Sequence, residues 1–434
     1  MASARPAEAI WAGSSWWSRP SHAAAHRHSL RMLTARSLRR EAVEREVVDR
    51  FRSAPWAGGP GRVGVELEWI PAVAGAGRPR PLGVAEAERL LARDPPLRSD
   101  ARVTFEPGGQ LEISPPPSAS VTELLKSVAS LRGRIDRCLE PTGAELLVSG
   151  LNPWHSTEEL GLQTPQPRYV SMQRHFDSIG VYGRRMMRQS LALQISLDLG
   201  EPSVAGQRWR LANLVGPTLG AAFANSPLVA GEELGIPGAR SQSWQLLDAS
   251  RTGFDGAQVG EPEPMAYRDF ALAATYIDLG ISPEDGPEEE TDVAYHLSTL
   301  FPPVRPRKHL ELRFIDALPT RWMAVPVILL ASLLYDRGAS STAVELLDDT
   351  RLDRSAWRRS CEVGIQDPGL REGVVGLFGI ARESLQRFPD GYFPDGADSL
   401  LAEYEERYPR SARCPADDQL DSYRKQPEDL SPWK

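Results

Sequence analysis

The sequence predicts an α+β fold, an antiparallel sheet with helices packed on one of its faces and a largely helical C-terminal part. Three observations carry this. Several segments alternate between apolar and polar residues, the mark of strands with one buried and one open face. Strands and helices follow one another without a regular βαβ rhythm. Beyond residue 316 the periodicity is almost wholly helical.

In chain order, residues 30–53 place Leu33, Leu38, Val43, Val47 and Phe51 near helical spacing, and a Gly- and Pro-rich stretch at 54–62 ends that helix. A strand is expected at 62–70, a loop at 75–81 and a short helix at 84–93. Strands at 101–106 and 110–115 form a hairpin through Pro107-Gly108-Gly109. Ser120 and Glu123 have the spacing of a capping box. They open a helix with Leu124, Leu125, Val128, Leu131 and Ile135 on one stripe. A strand near 144–149 and a helical stretch at 168–188 precede the sharpest alternation in the chain, SLALQISLDL at 190–199. Residues 204–224 read as a helix broken or kinked at Pro217. The acidic run 282–292 reads as a solvated loop. After a strand at 309–316, helices are expected at 318–336, 341–363, 368–387 and 396–408. The segment 32–408 is taken as one domain, with a loosely ordered tail at 409–434.

Three strands set a Leu–Glu step into their alternation: GVELEW (64–69), EPGGQLEIS (106–114) and HLELRFID (309–316). Val63, Val65, Leu67 and Trp69 share one face, and Glu66 and Glu68 share the other, with Cα atoms about 6.6 Å apart. The same parity sets Glu112 opposite Leu111 and Ile113, and Glu311 and Arg313 opposite Leu310, Leu312 and Phe314. A solvated face accounts for any single one of these acids about as well as a site does. Five of them, with Glu106, on matched faces point to a shared acidic site. Converging carboxylates raise one another's pKa, which a divalent cation relieves. All-oxygen ligands favour Mg²⁺ or Mn²⁺ over zinc. A metal held this way carries substrate phosphates, for which Arg168, Arg174, Arg240, Arg251 and Arg313 are the candidate partners.

Composition narrows the classes further. The chain has 434 residues and a formal net charge of −8, without a basic stripe interleaved with aromatics, so nucleic-acid binding has no support. Its longest apolar run, 324–335, is too short to span a bilayer. Cys138, Cys361 and Cys414 are scattered, which fits a reduced cytoplasmic chain without a zinc site. The Arg-rich, acid-poor residues 1–31 read as a disordered or non-native extension, with a transit peptide as the alternative; the pair of histidines at 26–28 is taken as incidental. No obligate protein partner is indicated.

The block RYVSMQRHFDSIGVYGRRMM (168–187) followed by SLALQISLDL resembles the central region of the plant and bacterial glutamate–cysteine ligases. FANSP (223–227), ARSQSW (239–244), SRTGFD (250–255), EPGGQLEIS and HLELRFID resemble further blocks of that family, and the Arg-rich character is most similar to its ergothioneine-pathway branch. The resemblance implies a glutamine-synthetase-like fold with the sheet as active-site floor. It implies a reaction in which ATP activates L-glutamate as γ-glutamyl phosphate for attack by the amino group of L-cysteine. It further implies that Glu66, Glu68, Glu106, Glu112 and Glu311 bind metal, with Gln194 standing where some relatives have His. By the same resemblance Arg240, Arg251 and Arg313 bind ATP phosphates, the glutamate carboxylate or the phosphorylated intermediate. Arg168, Tyr169, Met172 and Arg174 match a block near the substrate, where helix packing explains Tyr169 and Met172 equally well. A ligase with another amine acceptor, or a glutamate- or ATP-binding sensor, are the alternatives.

Overall fold

Eight strands hydrogen-bond into one sheet in a computed structural model that describes residues 40–53, 56, 59–75, 78–253, 263–277, 289–347, 354–425, 430 and 433–434. The strands are β1 (Val63–Val73), β2 (Arg80–Pro81), β3 (Arg102–Phe105), β4 (Leu111–Ser114), β5 (Ala144–Leu147) and β6 (Ala192–Leu197). A separate hairpin follows, β7 (Leu228–Val229) with β8 (Glu232–Glu233), and then β9 (Val304–Pro306) and β10 (Leu310–Asp316) return to the sheet. The order is β3-β4-β1-β6-β10-β9, every pair antiparallel, with β2 and β5 on the far half of β1. β1 is long enough to serve both sets of partners: residues 63–69 pair with β4 and β6, and Ile70–Val73 with β5 and β2.

The alternation read from sequence sets the faces. Val63, Val65, Leu67 and Trp69 are buried, as are Leu111, Ile113, Leu193, Ile195, Leu197, Leu310 and Leu312. They join one core cluster with Leu124, Val128, Leu131 and Ile135 of the helix Val121–Leu139 and with the apolar helix Ala324–Tyr335. Ser120 caps the first of these, its Oγ accepting from the Glu123 N–H at 3.1 Å.

Several expectations shift. The stretch 168–188 is two helices, Pro167–Asp177 and Tyr182–Arg188, because the chain turns at 178–181 to bring Gly183 against Phe176. A Cβ at Gly183 would lie 2.1 Å from the Phe176 Cβ. The helix Pro202–Ala222 runs through Pro217 unbroken; every residue from Leu211 to Ala222 is buried, so packing holds a turn that lacks one backbone donor. Of the acidic run expected to be a loop, 282–288 lies outside the described residues and 289–292 opens the helix Glu289–Ser298; the helix 30–53 is described as Arg40–Arg50, its first part also lying outside the described residues. The expected helix 341–363 is two, Arg337–Leu347 and Arg354–Glu362. Within the tail expected to be loose, Pro415–Lys425 is a helix and Trp433 is buried edge-on against Trp154 at 5.2 Å, while 426–429 and 431–432 lie outside the described residues. Residues 1–31 and the histidines at 26–28 lie outside the described residues. No helix among the described residues is long and apolar enough to cross a membrane.

Candidate active site

The polar face of the sheet floors a cavity of about 550 Å³. Register builds the floor: Glu68 pairs with Glu112 across β1 and β4, and Glu66 pairs with Gln194 across β1 and β6. Glu106 comes from the β3–β4 turn, where the Glu106 N–H donates to the Gln110 carbonyl at 2.8 Å. That turn presses on the next segment of chain. A Cβ at Gly108 would fall 2.0 Å from the Arg188 carbonyl oxygen, and Gly109 has φ +91°, so both positions need glycine. Gln110 Nε2 completes the junction by donating to the Ser190 carbonyl at 3.0 Å.

β10 contributes through an irregularity. Leu312 pairs with Ile195 and Ile315 with Leu193, so Arg313 and Phe314 together stand opposite Gln194. This is a β-bulge, a device that redirects side chains beside functional sites. It leaves Arg313 on the polar face, turns Ile315 into the core, and brings Asp316 round to the polar side opposite Ala192. Strict alternation would have put Asp316 on the apolar face.

The floor acids are strongly perturbed. Burial, reinforced by Glu311 and Glu112, pushes the Glu66 carboxyl up to about 7. Burial and Glu112 push Glu68 up to about 8, although Arg240 and the Ala192 N–H, donating to Glu68 Oε2 at 2.9 Å, pull the other way. Glu106 is raised by burial and by the Glu112 and Glu68 charges. These donors are hard oxygens without thiol or imidazole, a set suited to Mg²⁺ or Mn²⁺. Among the described residues no three His, Cys, Asp or Glu side chains gather into a ready metal cage.

Arginines face the acids. Arg240, from the helix Ala239–Leu247, lines the cavity with its guanidinium carbon 4.8 Å from the Trp244 ring centre. Arg313 donates from Nη1 to Gln194 Oε1 at 2.5 Å, and burial with the nearby Arg305 charge lowers its pKa to about 10. Arg168 is held by Ser298, at 2.8 Å to Oγ and 2.9 Å to the carbonyl. The Nε atoms of Arg240 and Arg313 are buried without an acceptor among the described residues. Tyr169, Met172, Met186, Met187, Trp244 and Phe301 line the same cavity and pack together as an apolar wall.

Three residues singled out by sequence do not line this cavity. Glu311 has both oxygens engaged: Arg305 donates at 2.5 and 2.9 Å, Arg313 at 3.3 Å and Arg307 at 3.4 Å. Burial alone would raise its pKa, but the Arg305 and Arg313 charges hold it far below the usual carboxylate range. Arg251 is fully buried, tied to Thr299 at 2.9 Å and to Asp248 at 3.3 Å, and braces the chain behind the apolar wall. Arg174 is exposed on the helix that presents Arg168, Tyr169 and Met172 inward. Conversely, Arg305, Arg307 and Lys308 line the cavity and were not singled out. Their signal lay in the run RPRKH at 305–309: Arg305 and Glu311 face each other across the β9–β10 hairpin, an opposite-charge cross-strand pair. Of the other blocks, FANSP serves as an anchor, since Asp316 Oδ2 accepts from the Asn225 N–H and the Ser226 hydroxyl, each at 2.8 Å.

Comparison with known proteins gives this geometry a family. The profile of Glutamate-cysteine ligase family 2 (GCS2) matches residues 62–428. The chain is 32% identical over 325 residues to the glutamate–cysteine ligase EgtA of Mycolicibacterium smegmatis, covering 69% of this chain and 74% of that protein. It is 30% identical over 387 residues to EgtA of Mycobacterium tuberculosis, covering 82% and 85%. The chloroplastic glutamate–cysteine ligase of Arabidopsis thaliana is 27% identical over 74% of this chain and 66% of its own length. A crystal structure of glutamate–cysteine ligase from Francisella tularensis in complex with AMP superposes with a TM-score of 0.55 over 84% of this chain and 85% of that one, at 11% identity, and so shares the fold. With a family profile spanning every floor strand, the chain belongs to glutamate–cysteine ligase family 2 and is a ligase of that family.

Proposed function

We propose that the protein joins L-glutamate to the amino group of L-cysteine at the expense of ATP, giving γ-glutamylcysteine for ergothioneine or a related low-molecular-weight thiol. One observation carries the reading: a single cavity sets a row of carboxylates on the sheet floor against Arg168, Arg240 and Arg313. A bare acidic floor repels polyphosphate and a bare basic rim has no use for a cation, whereas the two together suit phosphoryl transfer from a nucleotide.

Glu66, Glu68, Glu106 and Glu112 would hold Mg²⁺, or Mn²⁺ in its place, while Gln194, whose Oε1 accepts from Arg313, would steady that arginine beside them. When bound, the ion offsets the charge of ATP. Glu311, clamped by arginines, takes part by fixing Arg313 and Arg305. The glutamate γ-carboxylate oxygen attacks the γ-phosphorus and ADP leaves. The cysteine nitrogen then attacks the acyl carbon, and inorganic phosphate leaves with the C–O electron pair. Arg240 and Arg313 line the cavity and supply stabilisation to charge on the transferring group. Arg168 supplies a fixed cation for a substrate carboxylate, and the Met and aromatic wall excludes water from the acyl phosphate.

With ATP, Mg²⁺, glutamate and cysteine, the protein should release ADP one-for-one with γ-glutamylcysteine. Absence of ADP sinks the proposal. Across a panel of amines, cysteine should give the largest kcat/KM; a different best amine would reassign the acceptor.

A further inference from the structure

Asp316 is a buried carboxylate beside the site that does not line it. Only 1% of its surface is exposed, and it reaches the polar face of the sheet because the β10 bulge turns it there. Its Oδ1 receives Arg240 Nη1 at 3.4 Å. The other terminal nitrogen of Arg240 donates to the Arg313 carbonyl, inside the bulge, at 2.9 Å. The Trp244 ring lies under the guanidinium, and the Ser226 hydroxyl, itself bonded to Asp316, accepts from the Arg240 backbone N–H at 2.9 Å. The cationic head is thus held from three directions by a carboxylate, a carbonyl and an aromatic face. Its buried Nε has no acceptor among the described residues. The space for this is reserved: a Cβ at Gly150 would lie 2.5 Å from Asp316 Oδ2.

We infer that Asp316 is the positioning residue for Arg240, locking its guanidinium in the orientation it presents to the cavity without itself lining that cavity. An unrestrained Arg side chain loses its rotamer freedom anew at each binding event unless it is fixed beforehand. The bulge serves both arginines at once: its carbonyl holds Arg240 while its side chain is Arg313. The inference rests on the proposed ligase reading only for what Arg240 contacts, namely ATP. The competing role for Asp316 is purely structural, since two of its hydrogen bonds anchor residues 225 and 226.

A double-mutant cycle separates the two. Asp316→Asn, Arg240→Lys and the double variant are compared with the parent protein for Mg²⁺–ATP binding by calorimetry and for kcat/KM of ATP, with thermal melting as the fold check. Asp316→Asn should weaken ATP binding and lower kcat/KM about tenfold or more in the parent, and less than about twofold in the Arg240→Lys background. An equal loss in both backgrounds, or no loss in the parent, overturns the inference. Should Asp316→Asn not fold, Asp316→Glu, which keeps the charge but displaces the pair, carries the same comparison. ATP binding is measured without amino acids. Failure to form γ-glutamylcysteine would therefore sink the ligase reading while leaving the Asp316–Arg240 coupling measurable.

Discussion

Glu66 and Glu68 sit where folding works against their ionisation, and that has a sign that can be measured. An exposed Glu titrates near about 4.3. Burial and like charge raise Glu66 to about 7 and Glu68 to about 8 in the folded protein. Between those limits the unfolded chain has lost protons that the folded chain retains, so stability falls as pH rises toward about 8. His155, His296 and His309, lowered by burial, act in the opposite sense below about pH 6.5, and the buried thiols, raised by burial, add to the fall above about pH 8, which leaves about 6.5 to 8 as the window, with Glu106 contributing in the same direction. Metal-free protein should lose a few degrees of Tm across that window, and Glu66→Gln with Glu68→Gln should flatten the slope. Glu66→Gln should also abolish ligase turnover while the fold persists; an unchanged rate would refute its role as a metal ligand. Glu66, Glu68 and Glu112 were legible in sequence because parity, a local property, gathers them; Glu106 comes from a turn, and Glu311, on the matched face, is taken up by its arginines. Arg305 and Asp316 were not: the first is one Arg among many, and the second depends on a bulge that reverses the parity the sequence displays.

At the scale of elements, the strands followed from alternation and the longer helices from their stripes, while the segments 239–252 and 263–273 were not assigned. Ala239–Leu247 shows why. Its buried set includes Ala239, Arg240, Ser241 and Ser243, a face made by the site and not by apolar periodicity. The helix Ala324–Tyr335 has the opposite character, buried on nearly every side, and its last residue fixes the floor. Tyr335 donates its hydroxyl to the Arg62 carbonyl just before β1 and accepts the Asp198 N–H just after β6 at 2.7 Å. These bonds close the end of the β1–β6 pair at Val63 and Leu197, and through it the Glu66–Gln194 register. Arg208 stacks over the same ring at 4.6 Å. Tyr335→Phe keeps the ring but leaves a buried N–H without an acceptor, a loss of about 1–3 kcal/mol. Denaturant unfolding should show a lower midpoint with an unchanged slope; a midpoint equal to the parent's would mean the hydroxyl does not pin the strands.

Over the whole molecule, stability and chemistry are carried by different halves of β1. Its first half pairs with β4 and β6 and bears Glu66 and Glu68; its second half pairs with β5, and β5 leads into the C-terminal contacts. The Trp433 carbonyl accepts the Val148 N–H at 2.6 Å, the Thr320 N–H reaches the Lys434 carbonyl at 3.1 Å, and Lys434 pairs with Glu145 at 2.9 Å. Gln419 of the helix Pro415–Lys425 lies 3.2 Å from the Ser149 hydroxyl. The expected loose tail is therefore a brace, invisible to sequence because its Pro-rich, charged composition gives no periodic stripe while one Trp supplies the anchor. Trp433 is 1% exposed, and truncating a fully buried Trp removes about 3–5 kcal/mol. Trp433→Ala should thus lower Tm and raise protease sensitivity around 409–434. Because the brace meets the half of the sheet remote from the acids, kcat/KM per folded molecule well below Tm should stay within about threefold of the parent. A large loss of kcat/KM in a variant still fully folded would instead mean that the brace reaches the floor, through Ser149 and Asn225 to Asp316.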